Sequence, residues 1–226
     1  RVSDTTPPTI TQPADLAAEQ TSAAGATVVY ATPVATDAAD PAPSVVCVPA
    51  SGSLFPPGAT TVTCTATDAA GNSTQVSFVV LVQDTTAPAL SQAANLVVEQ
   101  TSPAGATLNY APPTASDGVD PNPVVTCVPA PGTLFPPGAT TVTCTATDSA
   151  GNSSQVQFTV TVQDTIAPTL GAAPDLTVEQ SAPNGTTVSF PLPTASDAAD
   201  PAPTVACVPP SGSLFPPGAT TVTCTA

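Results

Sequence analysis

The chain has 226 residues, 30 of them proline, and only 8% are charged although 41% are hydrophobic. Sixteen carboxylates face one basic residue, Arg1, and the net charge of −15 excludes nucleic acid and anionic membrane surfaces as partners, because both are bound through Lys and Arg. The lack of His, Lys, Met and Trp excludes catalytic triads, Schiff-base lysines and phosphate-binding loops, so we predict that the chain is not an enzyme. No apolar run is long enough to span a bilayer, so no membrane insertion is expected in this segment.

A period of 80 residues runs along the whole sequence. We predict three copies, at 1–83, 84–163 and 164–226. Residues 1–3 match the tail of a preceding copy, and the third copy is incomplete at its C-terminal end. The missing positions include the counterparts of Thr67–Val80, with a hairpin and a core strand, so we expect either a segment of a longer array or a strand supplied by a neighbouring molecule.

The first predicted strand of each copy is the least obvious one. Residues 14–20 have a helical composition, but their counterparts at 95–99 and 175–179 carry β-branched residues at strand spacing. Comparison of the copies therefore predicts strands at all three places. Val28 and Tyr30 mark the next strand, and both lie on its core-facing pattern. This position indicates that Tyr30 packs in the core and does not bind sugar.

The second half of each copy has clearer strand patterns. Val45 and Cys47 begin one inward face, and residues 61–67 and 156–162 alternate apolar with polar side chains, as strands with one buried face do. The first-copy counterpart, 76–82, has the same inward residues, but Val79 and Leu81 blur its alternation. Between the last two strands, residues 68–72 read Asp-Ala-Ala-Gly-Asn, which predicts a hairpin loop. About seven short strands in each copy indicate a β-sandwich.

The cysteines follow the same period. Six cysteines allow 15 connectivities, and the period favours pairing within each copy over free thiols in a reducing compartment. Each such disulfide is expected to stabilise its copy by roughly 3 kcal/mol. The predicted pairs are Cys47 with Cys64, Cys127 with Cys144, and Cys207 with Cys224.

The segment Ser51–Asn72, with its Leu-Phe-Pro-Pro-Gly-Ala-Thr-Thr-Val-Thr-Cys run, resembles the hyalin repeat (HYR) family, as does Asp4-Thr5-Thr6-Pro7-Pro8. The resemblance covers all three copies. It implies an immunoglobulin-like fold in an extracellular, adhesion-related protein without catalytic residues. Many family members carry further cysteines at places held here by Gln12 and Val76, so a second disulfide is not expected.

Calcium is the one candidate cofactor. Asp84 and Asp164 open the second and third copies, and we expect them near the chain path of Glu99 and Glu179, where carboxylates could hold the ion. The alternative is that these acids cap turns. The Asp37/Asp40 pair and its counterparts have the same ambiguity and are interpreted as a solvated turn.

The predicted fold class is all-β, with tandem immunoglobulin-like β-sandwich repeats forming an extended rod. The predicted function is an extracellular structural or adhesive array, a segment of a long surface stalk or filament whose partners are further copies of the same repeat or chain. The alternative is an adhesin module that binds carbohydrate or protein through loops such as 36–43 and 49–58.

Overall fold

The computed structural model describes residues 2–226, and the regular elements in this range are all β-strands that recur in the same order in each copy. No helix in the described range is long and apolar enough to cross a membrane. The first copy contains β1 (Thr9–Ile10), β2 (Leu16–Glu19), β3 (Ala26–Val28), β4 (Ala35–Thr36), β5 (Ser44–Val48), β6 (Ser53–Phe55), β7 (Gly58–Thr67) and β8 (Ser73–Gln83). The second contains β9 (Ala89–Leu90), β10 (Leu96–Glu99), β11 (Ala106–Leu108), β12 (Ala115–Ser116), β13 (Val124–Val128), β14 (Thr133–Phe135), β15 (Gly138–Thr147) and β16 (Ser153–Gln163). The third contains β17 (Thr169–Leu170), β18 (Thr186–Val188), β19 (Ala195–Ser196), β20 (Ala206–Val208), β21 (Ser213–Phe215) and β22 (Thr223–Thr225).

The chain forms two compact units. One holds the residues up to Ser91 together with Pro113–Thr126 and Thr145–Val156. The other holds Gln92–Pro112, Cys127–Cys144 and Gln157–Ala226.

A four-stranded sheet is the largest element of the first copy, with the strand order β2-β8-β7-β5. β7 and β8 are antiparallel from Gly58 opposite Val82 to Thr67 opposite Ser73, which confirms the predicted hairpin. β2 joins the other edge of β8 in parallel. The second copy has the same order, β10-β16-β15-β13.

Two-stranded pairs, β3 with β6 and β1 with β4, cover the inner face of the first sheet. The core between these layers contains fully buried side chains from β6, β7 and β8, because alternate residues of each strand point inward. The Tyr30 ring contacts Phe78 edge to face at a centroid distance of 5.1 Å, and its hydroxyl donates to the Pro49 carbonyl. Tyr30 therefore packs against the core, as its pattern predicts. The buried core residues of this copy are Ile10, Ala26, Val28, Phe55, Val62, Cys64, Ala66, Phe78, Val80 and Val82.

Each disulfide joins neighbouring strands of one sheet. Cys47 on β5 lies directly opposite Cys64 on β7, with a Cα–Cα distance of 4.0 Å. The bonds Cys127–Cys144 and Cys207–Cys224 have the same distance. Every cysteine is thus paired within its own copy, since none in the chain is free. The Gln12 side chain donates to the carbonyl of Ser77, the residue after Val76, at 2.6 Å.

The third copy corrects one prediction. β2 and β10 are strands as expected, but residues 175–179 form none, and Leu176 and Val178 are 59% and 47% exposed. The reason is that β2 and β10 exist through parallel pairing with β8 and β16. The printed chain has no counterpart of these partners in its third copy, so the strand sequence remains unpaired.

Extending the chain after Ala226 with the sequence of Thr147–Gln163 should convert residues 176–179 into a parallel strand, because the extension restores the missing partner. Amide hydrogen exchange should show new protection there. An extension with Asp at the counterparts of Val160 and Val162 is the control, since it cannot bury its inward face. Equal protection with both extensions, or none with the native one, would show that the missing partner is not the cause.

Gly105 permits a close backbone approach that any Cβ would prevent. Its φ is +123°, and an added Cβ would stand 1.9 Å from the Phe135 carbonyl oxygen. Gly105→Ala should therefore lower the free energy of unfolding by more than ~1 kcal/mol, as measured by urea titration. Gly132→Ala is the matched control, because Gly132 has a φ of +81° but open space around it. Equal losses in the two variants would show that backbone conformation alone matters.

Candidate functional site: the junction between copies

The parallel pairing of β2 with β8 places a carboxylate at the point where one copy passes into the next. Glu19, the last residue of β2, lies beside Gln83, the last residue of β8. Asp84, Thr85 and Thr86 follow at once and open the second copy. The Glu19 side chain is therefore within reach of the first residues of the neighbouring copy.

Glu19 accepts four hydrogen bonds from the two threonines. The Thr85 N–H and hydroxyl donate at 2.9 Å and 2.5 Å, and the Thr86 N–H and hydroxyl donate at 3.1 Å and 2.8 Å. These bonds favour the charged carboxylate, and they lower the Glu19 pKa from 4.5 to about 2, the Thr85 hydroxyl contributing most. We call this arrangement the Glu clamp.

The clamp recurs at the next junction with one change. Glu99 ends β10 and accepts from the Thr165 N–H at 2.8 Å and from the Thr165 hydroxyl at 2.6 Å. Ile166 stands where the first junction has Thr86, so no second hydroxyl is available. The Thr165 hydroxyl and N–H also lower the Glu99 pKa.

A second group of acids lies at the opposite end of the first copy. In the first copy, Asp4, Asp37 and Asp68 each place one carboxylate oxygen within 4.8 Å of the other two. Asp68 belongs to the β7–β8 hairpin, and Asn72 in the same loop donates to both of its oxygens at 2.8 Å. The Asn72 amide also donates to the Asp4 carbonyl at 3.3 Å, which ties the start of the copy to the hairpin.

Asp84, Asp117 and Asp148 hold the same positions in the second copy. The Asn152 amide donates to the Asp84 carbonyl at 3.2 Å and to Asp148 at 2.9 Å. Asp84 Oδ2 is buried and has no hydrogen-bond partner among the described residues. Burial raises the pKa of Asp84, and the nearby charges of Asp117, Asp148 and Glu19 raise it further.

Asp148 behaves differently from Asp84 although both belong to the same group. Burial opposes its charge, but the hydrogen bonds from Asn152 outweigh that effect and lower the Asp148 pKa. Asp68 has a lowered pKa with the same balance of causes. The hairpin aspartate thus stays charged, and the unpartnered oxygen of Asp84 faces negative neighbours.

The predicted calcium candidates are distributed differently from what we expected. Within the first copy, Asp4 lies near the start of β8 and Glu19 near its end, about 30 Å apart for eleven residues. Asp4 therefore cannot meet Glu19 in the first copy. Asp84 lies near Asp117 and Asp148, and Glu99 binds Thr165 beside Asp164.

Two further acids were singled out in the sequence. Glu179 lies in a segment that forms no strand. Asp37 shapes a turn, as interpreted, by accepting the Ala39 and Asp40 N–H groups. It also lies in the acidic group, because the adjacent Asp40 docks its loop onto the hairpin through the Ala69 N–H at 3.0 Å. The recurrence of this aspartate in every copy was the signal that could have identified it.

Disulfide-bonded β-sandwich copies that follow one another without a long linker are typical of extracellular repeat proteins. Matches to the HYR domain cover residues 3–82 and 83–162, which is more than half of the sequence. The chain belongs to the HYR domain family.

Curated relatives agree with this assignment. Hyalin of Strongylocentrotus purpuratus is 38% identical over 94% of this chain, and hyalin of Lytechinus variegatus is 33% identical over 98% of it. The chain spans 18% and 44% of the lengths of these two relatives. Among solved structures, the titin domains z1z2 in complex with telethonin are similar over 72% of this chain and all of theirs, with a TM-score of 0.36 and 18% identity.

Glu19→Gln should weaken the clamp in a pH-dependent way. Because the folded-state pKa of Glu19 is about 2, below its ordinary 4.5, the charged clamp contributes its full stability above pH 4.5 and loses it as the pH falls towards 2. The difference in unfolding free energy between wild type and Glu19→Gln should therefore be largest above pH 4.5 and shrink at lower pH. Denaturant titrations across this pH range measure it.

Glu179→Gln is the matched control for this experiment, since Glu179 is an exposed glutamate at the corresponding position of the third copy. It should show no such pH-dependent difference. A Glu19→Gln difference that is the same at both ends of the pH range would mean that the carboxylate charge does not hold the junction.

Proposed function

We propose that the chain is a spacer segment of a long extracellular stalk or filament, built to extend from a surface and to associate with further copies of the same repeat. The Glu clamp is the observation that carries this proposal. It joins the end of one copy to the first residues of the next through side-chain and backbone hydrogen bonds, and it occurs at both junctions.

A spacer must keep each copy folded while the chain is extended. The disulfides support this role, because each one links two strands of the main sheet inside a copy. The short connection supports it as well, since β8 ends at Gln83 and β9 begins at Ala89. Pro88 is fully buried within this connection, which limits its freedom to swivel.

Surface chemistry also favours a structural role over an enzymatic one. With one basic residue, at position 1, the chain offers trypsin-like proteases almost nothing to cleave. The candidate acids recur in each copy and are engaged in loop hydrogen bonds, whereas a catalytic pair would be built once. The net charge of −15 keeps such a protein soluble at high local concentration.

Electron microscopy of the native material, together with sedimentation of the purified chain under non-reducing conditions, tests this proposal. A structural polymer should appear as a continuous fibre with a regular axial repeat, and the purified chain should self-associate with increasing concentration. The Glu19→Gln/Glu99→Gln double variant should give fibres with a less regular repeat. A chain that stays monomeric and binds a foreign carbohydrate or protein through residues 36–43 or 49–58 would favour the adhesin alternative.

A further inference from the structure

β5 (Ser44–Val48) lies at one edge of the main sheet in the first copy. It pairs with β7 on one side, and no other strand among the described residues pairs with its second side. Natural sheets commonly protect such an edge with a bulge, a proline or a charged side chain. β5 contains neither a proline nor a charge, and its five pairs with β7 run without a bulge. We call the unpaired side of this strand the β5 edge.

The disulfide pair shows which backbone groups the β5 edge presents. Cys47 and Cys64 lie opposite each other with a Cα–Cα distance of 4.0 Å, a short spacing that is typical of pairs without mutual backbone hydrogen bonds. Because bonded and non-bonded pairs alternate along an antiparallel ladder, Val46 is bonded to Thr65, whereas Val45 and Cys47 direct their N–H and C=O groups away from β7. Among the described residues, no turn or loop backbone group bonds to them. The β5 edge therefore offers both donors and acceptors to a further strand.

The surface around the β5 edge carries no charge, although the chain has 16 carboxylates. None of them lies in 41–67, the segment that contains β5, β6 and β7, or in β8. On the outer face of the sheet, Val46 and Val48 are 63% and 67% exposed, beside the threonines of β7. A chain of net charge −15 thus has an apolar face where no carboxylate opposes the approach of a like-charged molecule.

An exposed valine ends this strand in every copy. Exposure alone does not preserve a valine in this chain, since the exposed Val29 is replaced by Asn109 and Ser189 in the other copies. Burial inside the copy does not require the recurring valine either, which favours a contact outside the copy. The three residues are Val48, Val128 and Val208.

We propose that the β5 edge pairs in antiparallel fashion with the β5 edge of a second molecule of this chain, an inference that rests on the self-association proposed above. A two-fold axis passes beside Val46, so that Val45 of each molecule bonds to Cys47 of the other through about four backbone hydrogen bonds. The two Val46 residues then lie opposite each other at a Cα–Cα distance of ~4.5 Å, where their side chains become cross-strand neighbours. The two four-stranded sheets join into one.

Charge favours both this partner and this direction. Asp40 and Asp68 lie beyond the Ser44 end of the β5–β7 pair, whereas the chain beyond Val48 is uncharged up to Asp68. An antiparallel pair brings the acidic end of each molecule to the uncharged end of the other, while a parallel pair would place the acids together. A basic partner would find no carboxylate on this edge, and an anionic partner would be repelled by the whole chain.

Amide hydrogen exchange at increasing protein concentration tests the pairing directly. In dilute solution the N–H groups of Val45 and Cys47 should exchange rapidly, and they should become protected as the chain associates. The Val46 N–H should be protected at every concentration, since Thr65 accepts it. NaCl should strengthen the association, because it screens the repulsion between acidic chains. Association without new protection at Val45 and Cys47 would overturn the proposed surface.

The Val46→Lys/Thr126→Lys/Ala206→Lys variant places a charge on the central residue of β5 and at its counterparts. Two lysines would then face each other across the axis, so the association constant measured by sedimentation should fall at least ~10-fold. The three native side chains are exposed, and the melting temperature of the variant should therefore stay close to that of the wild type.

The matched control is Val29→Lys/Asn109→Lys/Ser189→Lys, which adds the same three charges at exposed positions outside β5 and its counterparts. It should associate at least as strongly as the wild type, because it lowers the net negative charge. If the wild type associates and both triple variants associate equally well, the β5 edge is not the contact, although the proposed stalk or filament stands. A wild-type chain that stays monomeric at every concentration would contradict both proposals.

Discussion

The parallel pairing of β2 with β8 is the interaction on which the rest of the structure depends. It closes the edge of the main sheet, and its register brings Glu19 beside Gln83, so that the Glu19 carboxylate reaches the first residues of the next copy. Where this partner has no counterpart, as in the third copy, the strand sequence from Leu176 is exposed. The same pairing therefore stabilises each copy and connects it to its neighbour.

Local patterns predicted much of the fold. Alternation in 61–67 and 156–162, the Gly-Asn hairpin and the cysteine period correspond to β7, β16, the β7–β8 loop and the disulfides. The residues of 175–179 alone could not show whether the segment forms a strand, because strand formation there depends on a partner about 60 residues away in the sequence. Composition shows that a segment can pair, whereas only the complete sheet shows whether it does.

The junction was harder to predict than the strands. The recurring glutamate was visible in the sequence, but its partners depend on a parallel register that no local pattern contains. Proximity in sequence suggested Asp84 with Glu99, although in the first copy the length of β8 separates the corresponding Asp4 and Glu19. The contact of the Asp37 loop with the hairpin was hard to predict for a related reason, since it joins Asp40 to Ala69, 29 residues further along the chain.

The direction of the paired strands also determines how a copy would carry load. β2 lies near the entry of the chain into the copy, and β8 is the strand by which the chain leaves. Tension on the two chain ends would pull β2 backwards and β8 forwards along their common axis. In this shear geometry the hydrogen bonds between them are stretched together rather than opened one after another, so the strand pair that completes the sheet would also be the element that resists extension.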